Sequence, residues 1–309
     1  MTKEKNCQRI FVKNFFTKRI FIFAFVLLFF SCRSIHTVFY DFKNEQLQSE
    51  IRILQISDFH SNDFGKNEAT IIQKISDVAP HVILITGDLF DNKMGNAKWF
   101  SNVEKLLAGI YELAPIYFVS GNHDFIALEM QKKYELLEKY KVHVLHDEVV
   151  VFHFENGEIV FAGIDDPYFD LGEKIKKEMR DDKAKYRSRL QVLAEKTKQR
   201  IAELSKNAKR IFFSMLLVHR PEYVKDYELY DFDFIVAGHA HGGQWRFPPL
   251  NNGIYAPGQG MFPKYAGGRY DLQNGSVMIV SRGLSWQRPR LARICNNPEL
   301  VVVRIRNEQ

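Results

Sequence analysis

Cysteine is scarce in this chain. Its 309 residues include only Cys7, Cys32 and Cys295, and no two of them form a CxxC pair. That excludes a zinc-finger framework and a small scaffold held by disulfides; a chain of this length can bury a core that needs no staples. Long apolar runs are missing as well. The longest is Ile20–Phe30, eleven residues, which as a helix spans about 16 Å against a hydrocarbon core of about 30 Å. There is no internal repeat. Nor is one sign of charge spread evenly. Residues 1–33 carry seven Lys/Arg and one Glu, and residues 171–210 carry fourteen Lys/Arg and six Asp/Glu. Removing these +6 and +8 segments from a whole-chain charge of +6 leaves −8 for the rest. An acidic body argues against a nucleic-acid-binding face, so no nucleic-acid partner is expected.

The N-terminus reads as an export segment. Lys13, Lys18 and Arg19 precede the apolar run, and "SC" with Arg33 follows it. The positive flank and the run length suit a signal-peptide h-region better than a spanning helix. "LFFSC" resembles a bacterial lipobox, with Phe29 where Leu is usual; Cys32 would then be lipidated and become the first residue. An uncleaved membrane anchor, ordinary cleavage and a buried N-terminal helix are the other readings. In each exported case the body lies outside the cytoplasm, periplasmic or at the cell surface, and the retained forms are membrane-associated.

Five short apolar runs stand out: "IRILQIS" before Asp58, "HVILITG" before Asp88, "PIYFVSG" before Asn122, "IFFSMLLV" before His219 and "FDFIVAG" before His239. Uninterrupted runs such as Val82–Ile85 suit strands buried on both faces. Between the first two, Ile71, Ile72, Ile75, Val78 and Ala79 recur at helical spacing over Lys66–Ala79, and Pro80 ends the helix. Strand, helix, strand predicts a layered α/β fold. Every run stops on a residue that can bind a metal. Asp and Asn are common after strands as turn formers, but histidine is not. In α/β sheets, groups at the carboxyl ends of strands converge on one crevice.

Residues 171–210 predict a basic, amphipathic helical insertion with Leu190, Leu193, Ala194, Ile201, Leu204 and Ala208 on its apolar stripe. Its charges read first as a solvated face and second as contact with an anionic membrane. Residues 242–268 hold seven Gly and four Pro, a long irregular loop beside the candidate site. "VMIVSRG" and "ELVVVRI" read as closing strands.

Taken in order, the polar ends are "SDFH" (Asp58, His60), "GDLFD" (Asp88), "GNHD" (Asn122, His123, Asp124), "VHRP" (His219) and "GHAH" (His239, His241). Any one of them alone is a common turn or helix entry. Together, across about residues 50–305, they resemble the calcineurin-like metallophosphoesterases. "GHAHGGQ…YAPG…KYAGGRY…VSRG" is similar to a membrane-associated bacterial branch that includes hydrolases of UDP-2,3-diacylglucosamine. The resemblance implies a double β-sandwich flanked by helices, with a dimetal site at the carboxyl ends of the strands. It implies one divalent ion on Asp58, His60 and His241, a second on Asn122, His219 and His239, and Asp88 bridging them. Carboxylates bridge dications, and neutral imidazoles suit Mn, Fe or Zn. Two such ions about 3.5–4 Å apart can activate water for in-line attack at phosphorus. His123 is expected to stabilise the transition state or protonate the leaving group, and Asp124 to orient its ring. His239 and His241, one residue apart on an extended segment, would face the same side and reach two neighbouring metals. Gly242 and Gly243 would let the backbone approach a substrate phosphate. Lys264, Arg269 and Arg282 are weaker phosphate candidates, and Asp166 reads as a turn residue.

The leading expectation is an exported hydrolase of phosphodiester or pyrophosphate bonds acting on a phosphate-containing, lipid-linked substrate. The alternatives are a phosphomonoesterase for small phosphates and an inert metal-binding scaffold. Inert relatives usually lack a ligand, and none is missing here. UDP-2,3-diacylglucosamine is a specific candidate, but that nucleotide is made inside the cell. It and an outward-facing body exclude one another.

Overall fold

The strand Val82–Thr86 (β3) is buried along its whole length. Val82 and Leu84 belong to one hydrophobic cluster, Ile83 and Ile85 to another. Period-two alternation with both faces apolar requires a layer on each side. The computed structural model describes residues 34–45, 47–91, 97–124, 130–154, 157–167, 183–206, 211–246, 252–286 and 293–307. The expected export segment with Cys32 lies outside the described residues, as do Ala208 and residues 171–182 of the basic region. Among the described residues, no helix is long and apolar enough to cross a membrane.

Two six-stranded sheets supply the layers. The first contains β1 (His36–Lys43), β2 (Ile51–Ile56), β3, β4 (Ile116–Val119), β5 (Val142–Val144) and β14 (Glu299–Arg306), in the order β1-β14-β2-β3-β4-β5. Strands β2 to β5 run parallel, and β14 lies antiparallel to β2. The second contains β6 (Glu148–Phe154), β7 (Gly157–Gly163), β8 (Ile211–Leu217), β9 (Phe234–Ala237), β12 (Gly268–Asp271) and β13 (Val277–Val280), in the order β12-β13-β9-β8-β7-β6. A small hairpin, β10 (Tyr255–Ala256) and β11 (Gly260–Met261), stands apart. The sheets face each other through Ile53, Leu84 and Val119 on one side and Phe161, Met215 and Val236 on the other. Each such buried side chain is worth about 1.5–3 kcal/mol.

Helices close both outer faces. Ala69–Val78 (α1), Ala97–Ile110 (α2) and Met130–Lys139 (α3) cover the first sheet through Ile71, Ile75, Val103, Leu107 and Leu136. Lys183–Lys206 (α4) covers the second through Tyr186, Leu190 and Leu193. The layers are therefore helix, sheet, sheet, helix, the double sandwich expected from the sequence. From Lys183 to Lys206 the basic region is one of those layers, with Leu190, Leu193 and Ala194 of its apolar stripe against the sheet and Lys185, Lys196 and Lys198 exposed.

The helix expected over Lys66–Ala79 is divided. A three-ten turn at Lys66–Glu68 precedes α1, with Asn67 and Glu68 in left-handed backbone at φ 55° and 58°. The buried Glu68 carboxylate accepts the Phe64 N–H at 2.8 Å, which turns its backbone out of the helix. The C-terminus agrees with the sequence: Ala79 caps α1 in left-handed backbone and Pro80 follows.

One ion pair gives the fold a pH dependence. His146 Nδ1 lies 2.7 Å from the Asp165 carboxylate, and this hydrogen bond raises the histidine pKa above its usual value. A raised folded-state pKa stabilises below the unfolded value of about 6.5 and is lost as pH rises through the folded one. Thermal melts should show wild type losing more stability than His146→Gln between pH 6 and pH 9. Equal losses would show that this pair contributes nothing.

Candidate metal centre

The five strand ends converge as predicted. Asp58 follows β2 by two residues and Asp88 follows β3 by two; Asn122 lies three beyond β4, and His219 and His239 lie two beyond β8 and β9. The ligand types separate into overlapping trios: Asp58, His60 and His241; Asp88, His219 and His239; and His60, Asp88 and His123. Within each, the ligand atoms lie within 4.8 Å of one another. Asp88 Oδ2 stands between the first two trios, 3.4 Å from His60 Nε2 and 3.2 Å from His219 Nε2. Asp58 Oδ1 is 3.5 Å from His241 Nε2.

The donor set fits two divalent cations. Asp58 Oδ1, Asn122 Oδ1, His239 Nε2 and His241 Nδ1 are buried with no hydrogen-bond partner. A buried polar atom without a partner costs about 1–3 kcal/mol, so several in one place call for a common partner. Burial drives the His241 imidazole down to about 4, and burial with the Arg220 charge drives His239 well below the usual range. Both rings are thus in the neutral form that binds metals. His219 behaves differently. Burial lowers its pKa, but the charge and hydrogen bond of Asp88, together with the charges of Asp58 and Asp166, outweigh burial and raise it to about 10. Its Nδ1 donates to the Thr86 carbonyl at 2.8 Å, which directs Nε2 toward Asp88. This backbone partner fixes ring orientation in the way second-sphere groups do in metal sites.

The backbone here is strained. Asp58, His60, Asp88, His239 and His241 all have φ between 47° and 66°. Left-handed conformations of such residues cost about 1–3 kcal/mol each and persist where surroundings impose them. Cross-loop hydrogen bonds do so: Asp58 N–H donates to Gly87 O at 3.0 Å, His60 N–H to Asp88 O at 2.9 Å. His239 and His241 therefore do not lie on an extended segment. The sequence reading of why they separate is corrected, although they do join different trios. Their division comes from two left-handed residues and a tight turn at His241–Gly243.

Gly242 and Gly243 also need another explanation. A Cβ on Gly242 would lie 2.2 Å from Asn296 Oδ1, and one on Gly243 would lie 2.2 Å from the Asn252 carbonyl. Loop packing, with φ of 64° and 71°, requires glycine at these positions. The glycines that touch metal ligands lie elsewhere. A Cβ on Gly121 would lie 2.2 Å from Asp88 Oδ1, and one on Gly238 or Gly283 would lie 2.6–2.7 Å from Asp58 Oδ2. Gly121 and Gly238 were visible in "GNHD" and "GHAH", as the residue just before a ligand.

Asp124 has a different job from the one expected. Its Oδ2 accepts the N–H groups of Asp88 and Gly121, both at 2.7 Å, and its Oδ1 accepts Phe90 N–H at 2.9 Å. These amides occupy both oxygens, so Asp124 ties the Asp88 loop to the Asn122 loop rather than orienting the His123 ring. Buried Lys133 of α3 donates to the Asp124 carbonyl. His123 is half-buried. Its N–H donates to Asp88 Oδ1 at 2.7 Å, and its Nδ1 has no hydrogen-bond partner.

Three further carboxylates were not recognised in the sequence as site builders. Asp165 accepts Ser120 Oγ at 2.6 Å, just before the Gly121–Asn122 turn. Asp166, read as a turn residue, grips Arg220 with contacts of 2.6 and 3.3 Å, beside His219. Glu222 brings Oε1 to 3.6 Å from His239 Nε2, and burial pushes its carboxyl up to about 7. "DDP" and "HRPE" held these residues but gave no hint of their partners. Two of the phosphate candidates are committed elsewhere: Arg282 pairs with Glu299, and Arg269 pairs with Asp271.

Similarity to known proteins agrees with this geometry. The model of the calcineurin-like phosphoesterase family matches residues 51–243. Uncharacterized protein YpbG of Bacillus subtilis (strain 168) is 26% identical over 254 residues, covering 82% of this chain and 80% of that protein. Uncharacterized metallophosphoesterase Cj0846 of Campylobacter jejuni is 25% identical over 281 residues, covering 87% of this chain and 63% of that protein. This chain thus spans less than two thirds of Cj0846. Among solved structures, the NAD nucleotidase NadN of Haemophilus influenzae aligns with a TM-score of 0.48 at 19% identity, covering 76% of this chain and 45% of that one. The matched segment takes in all nine metal and acid candidates and more than half the chain, which therefore belongs to the calcineurin-like phosphoesterase family of metal-dependent phosphoester hydrolases.

Proposed function

We propose that this protein hydrolyses phosphodiester or pyrophosphate bonds in a lipid-linked substrate, from a membrane-associated position with its body outside the cytoplasm. The observation that carries the hydrolase reading is Asp88, whose Oδ2 lies 3.4 Å from His60 of one ligand trio and 3.2 Å from His219 of the other. Asp58, His60 and His241 would hold one cation, Asn122, His219 and His239 the other, and Asp88 both. Bound there, the pair would supply Lewis acidity and lower the pKa of water. The chain's own part is positioning and proton transfer. Asp124 fixes the amide of Asp88, and the His123 N–H fixes its carboxylate. His123, half-buried with Nδ1 free of hydrogen-bond partners, would give a proton to the leaving oxygen.

The lipid-linked part rests on the apolar Ile20–Phe30 segment beside a strongly basic flank. If the body instead faces the cytoplasm, UDP-2,3-diacylglucosamine becomes the first substrate to test. Trypsin added to intact cells distinguishes the two: digestion before lysis supports the outward body, and resistance until lysis overturns it.

Full-length protein stripped of metal, then reloaded separately with Mn and with Zn, should hydrolyse bis(p-nitrophenyl) phosphate faster than p-nitrophenyl phosphate. Preference for the monoester would replace the diesterase assignment with a phosphomonoesterase. His123→Ala should slow diester turnover at least about 100-fold, as loss of a general acid does, while metal content stays at the wild-type value. Loss of metal would instead make His123 a ligand, as its place in the third trio allows.

A further inference from the structure

The fold brings an exposed apolar hairpin and the start of β1 to the same end as the metal centre. From this we infer that the active-site end rests against the lipid surface, with hairpin residues Tyr255, Met261 and Phe262 inserted among the headgroups. The inference builds on the membrane-associated reading above and names the surface that makes contact.

Strand directions fix the geometry. His36, the first residue of β1, pairs with Glu299, the first of β14. β14 runs antiparallel to β2, with Val301 beside Gln55, so His36 and Glu299 lie at the end of β2 that leads to Asp58. Contacts agree: Glu299 N–H donates to Gly283 O at 3.2 Å, and Gly283 packs on Asp58. The apolar run ends at Phe30, four residues before Ser34. Four extended residues reach at most about 14 Å. A membrane-held Ile20–Phe30 segment would therefore keep this end of the sandwich, and not the opposite end, close to the bilayer.

The hairpin lies at that same end. Gly268, which follows it, pairs with Val280 at the site end of β13. Its turn touches the centre: a Cβ on Gly258 would lie 2.1 Å from Glu222 Oε1, the atom that faces His239. Tyr255 and Met261 are cross-strand partners, 42% and 61% exposed, and Phe262 beside them is 67% exposed. Residues 252–268 contain Lys264 and no Asp or Glu. Apolar and aromatic side chains next to a lysine, in a segment with no acidic residue of its own, suit the interface of a bilayer with anionic lipids. A lipid-linked substrate would then meet the metals without leaving the surface.

The test uses the full chain reconstituted in vesicles of phosphatidylcholine with phosphatidylglycerol, with or without brominated acyl chains. Phe262→Trp and Met261→Trp add an indole to the hairpin. Leu113→Trp adds one at another exposed apolar position, in the loop before β4 at the far end of the strands. Subtraction of the wild-type signal removes the three native tryptophans. Brominated lipid should quench the added hairpin emission by about half, since interfacial groups sit about 5–10 Å deep, and leave the Leu113→Trp emission unchanged. Equal quenching at both ends, or none at the hairpin, overturns the inference. So does a hairpin indole that is shielded in detergent through association of two chains, seen as a doubled mass on size exclusion. Turnover of bis(p-nitrophenyl) phosphate by the same samples is read separately. Its absence would defeat the hydrolase reading while leaving the quenching result to judge the docking surface.

Discussion

Asp88→Asn should reduce bound metal from about two ions per chain to one or fewer and lower diester turnover by at least about 1,000-fold. Partners outside the first coordination sphere typically change affinity or activity about 10–100-fold, and a shared first-sphere carboxylate should exceed that. The argument rests on charge. Asparagine keeps an oxygen at Oδ1 to accept the His123 N–H, and it occupies the same space beside Gly121. What it removes is the negative charge between His60 and His219 and the second oxygen able to ligate. The sandwich core is untouched, so the circular dichroism spectrum should match wild type. Elemental analysis after dialysis gives the metal count, and a stopped diester assay gives the rate. A variant that keeps two ions and wild-type turnover would rule out the bridging role and the dinuclear assignment with it.

The centre could be read from the sequence because its positions follow local rules. Each ligand sits just past an apolar run, and strand ends are recognisable from composition alone. Parallel neighbours then gather those ends, as β2, β3 and β4 do in one sheet and β8 and β9 in the other. What escaped depends on long-range partners. β1 reads HTVFYDFK, with polar and apolar residues mixed, and becomes a strand by pairing with β14 across more than 250 residues. Asp165 and Asp166 look like turn residues, and their partners Ser120 and Arg220 lie 45 and 54 residues away. The backbone of His239 and His241 escaped for another reason. Left-handed histidine has no sequence signature of its own, and an extended H-x-H is the simpler inference. Asp124 beside His123 suggested a pair, but loop closure used its oxygens for amides first.

Gly121→Ala should disrupt the centre almost as much as loss of a ligand, although it removes no chemical group. No left-handed φ demands glycine there, so backbone strain is not the cause. The added methyl would lie 2.2 Å from Asp88 Oδ1 and 2.4 Å from the Asp88 amide nitrogen, well inside contact distance. The loops cannot easily part, because Asp124 Oδ2 holds the Gly121 and Asp88 amides together. The bridging carboxylate must move instead. Overpacking of this kind costs about 1–3 kcal/mol of stability, and a displaced bridge should cost about 100-fold or more in turnover, with metal content falling in parallel. Gly275→Ala gives the contrast. That glycine has φ 91° and open space around its missing Cβ, in the turn between β12 and β13. Its replacement should cost about 1 kcal/mol or more through backbone strain and leave metal content and turnover unchanged. If Gly121→Ala instead loses only stability, as Gly275→Ala should, then the position of Asp88 is not set by the glycine beneath it. The ligand loops would then have enough freedom to re-form the centre around a methyl group.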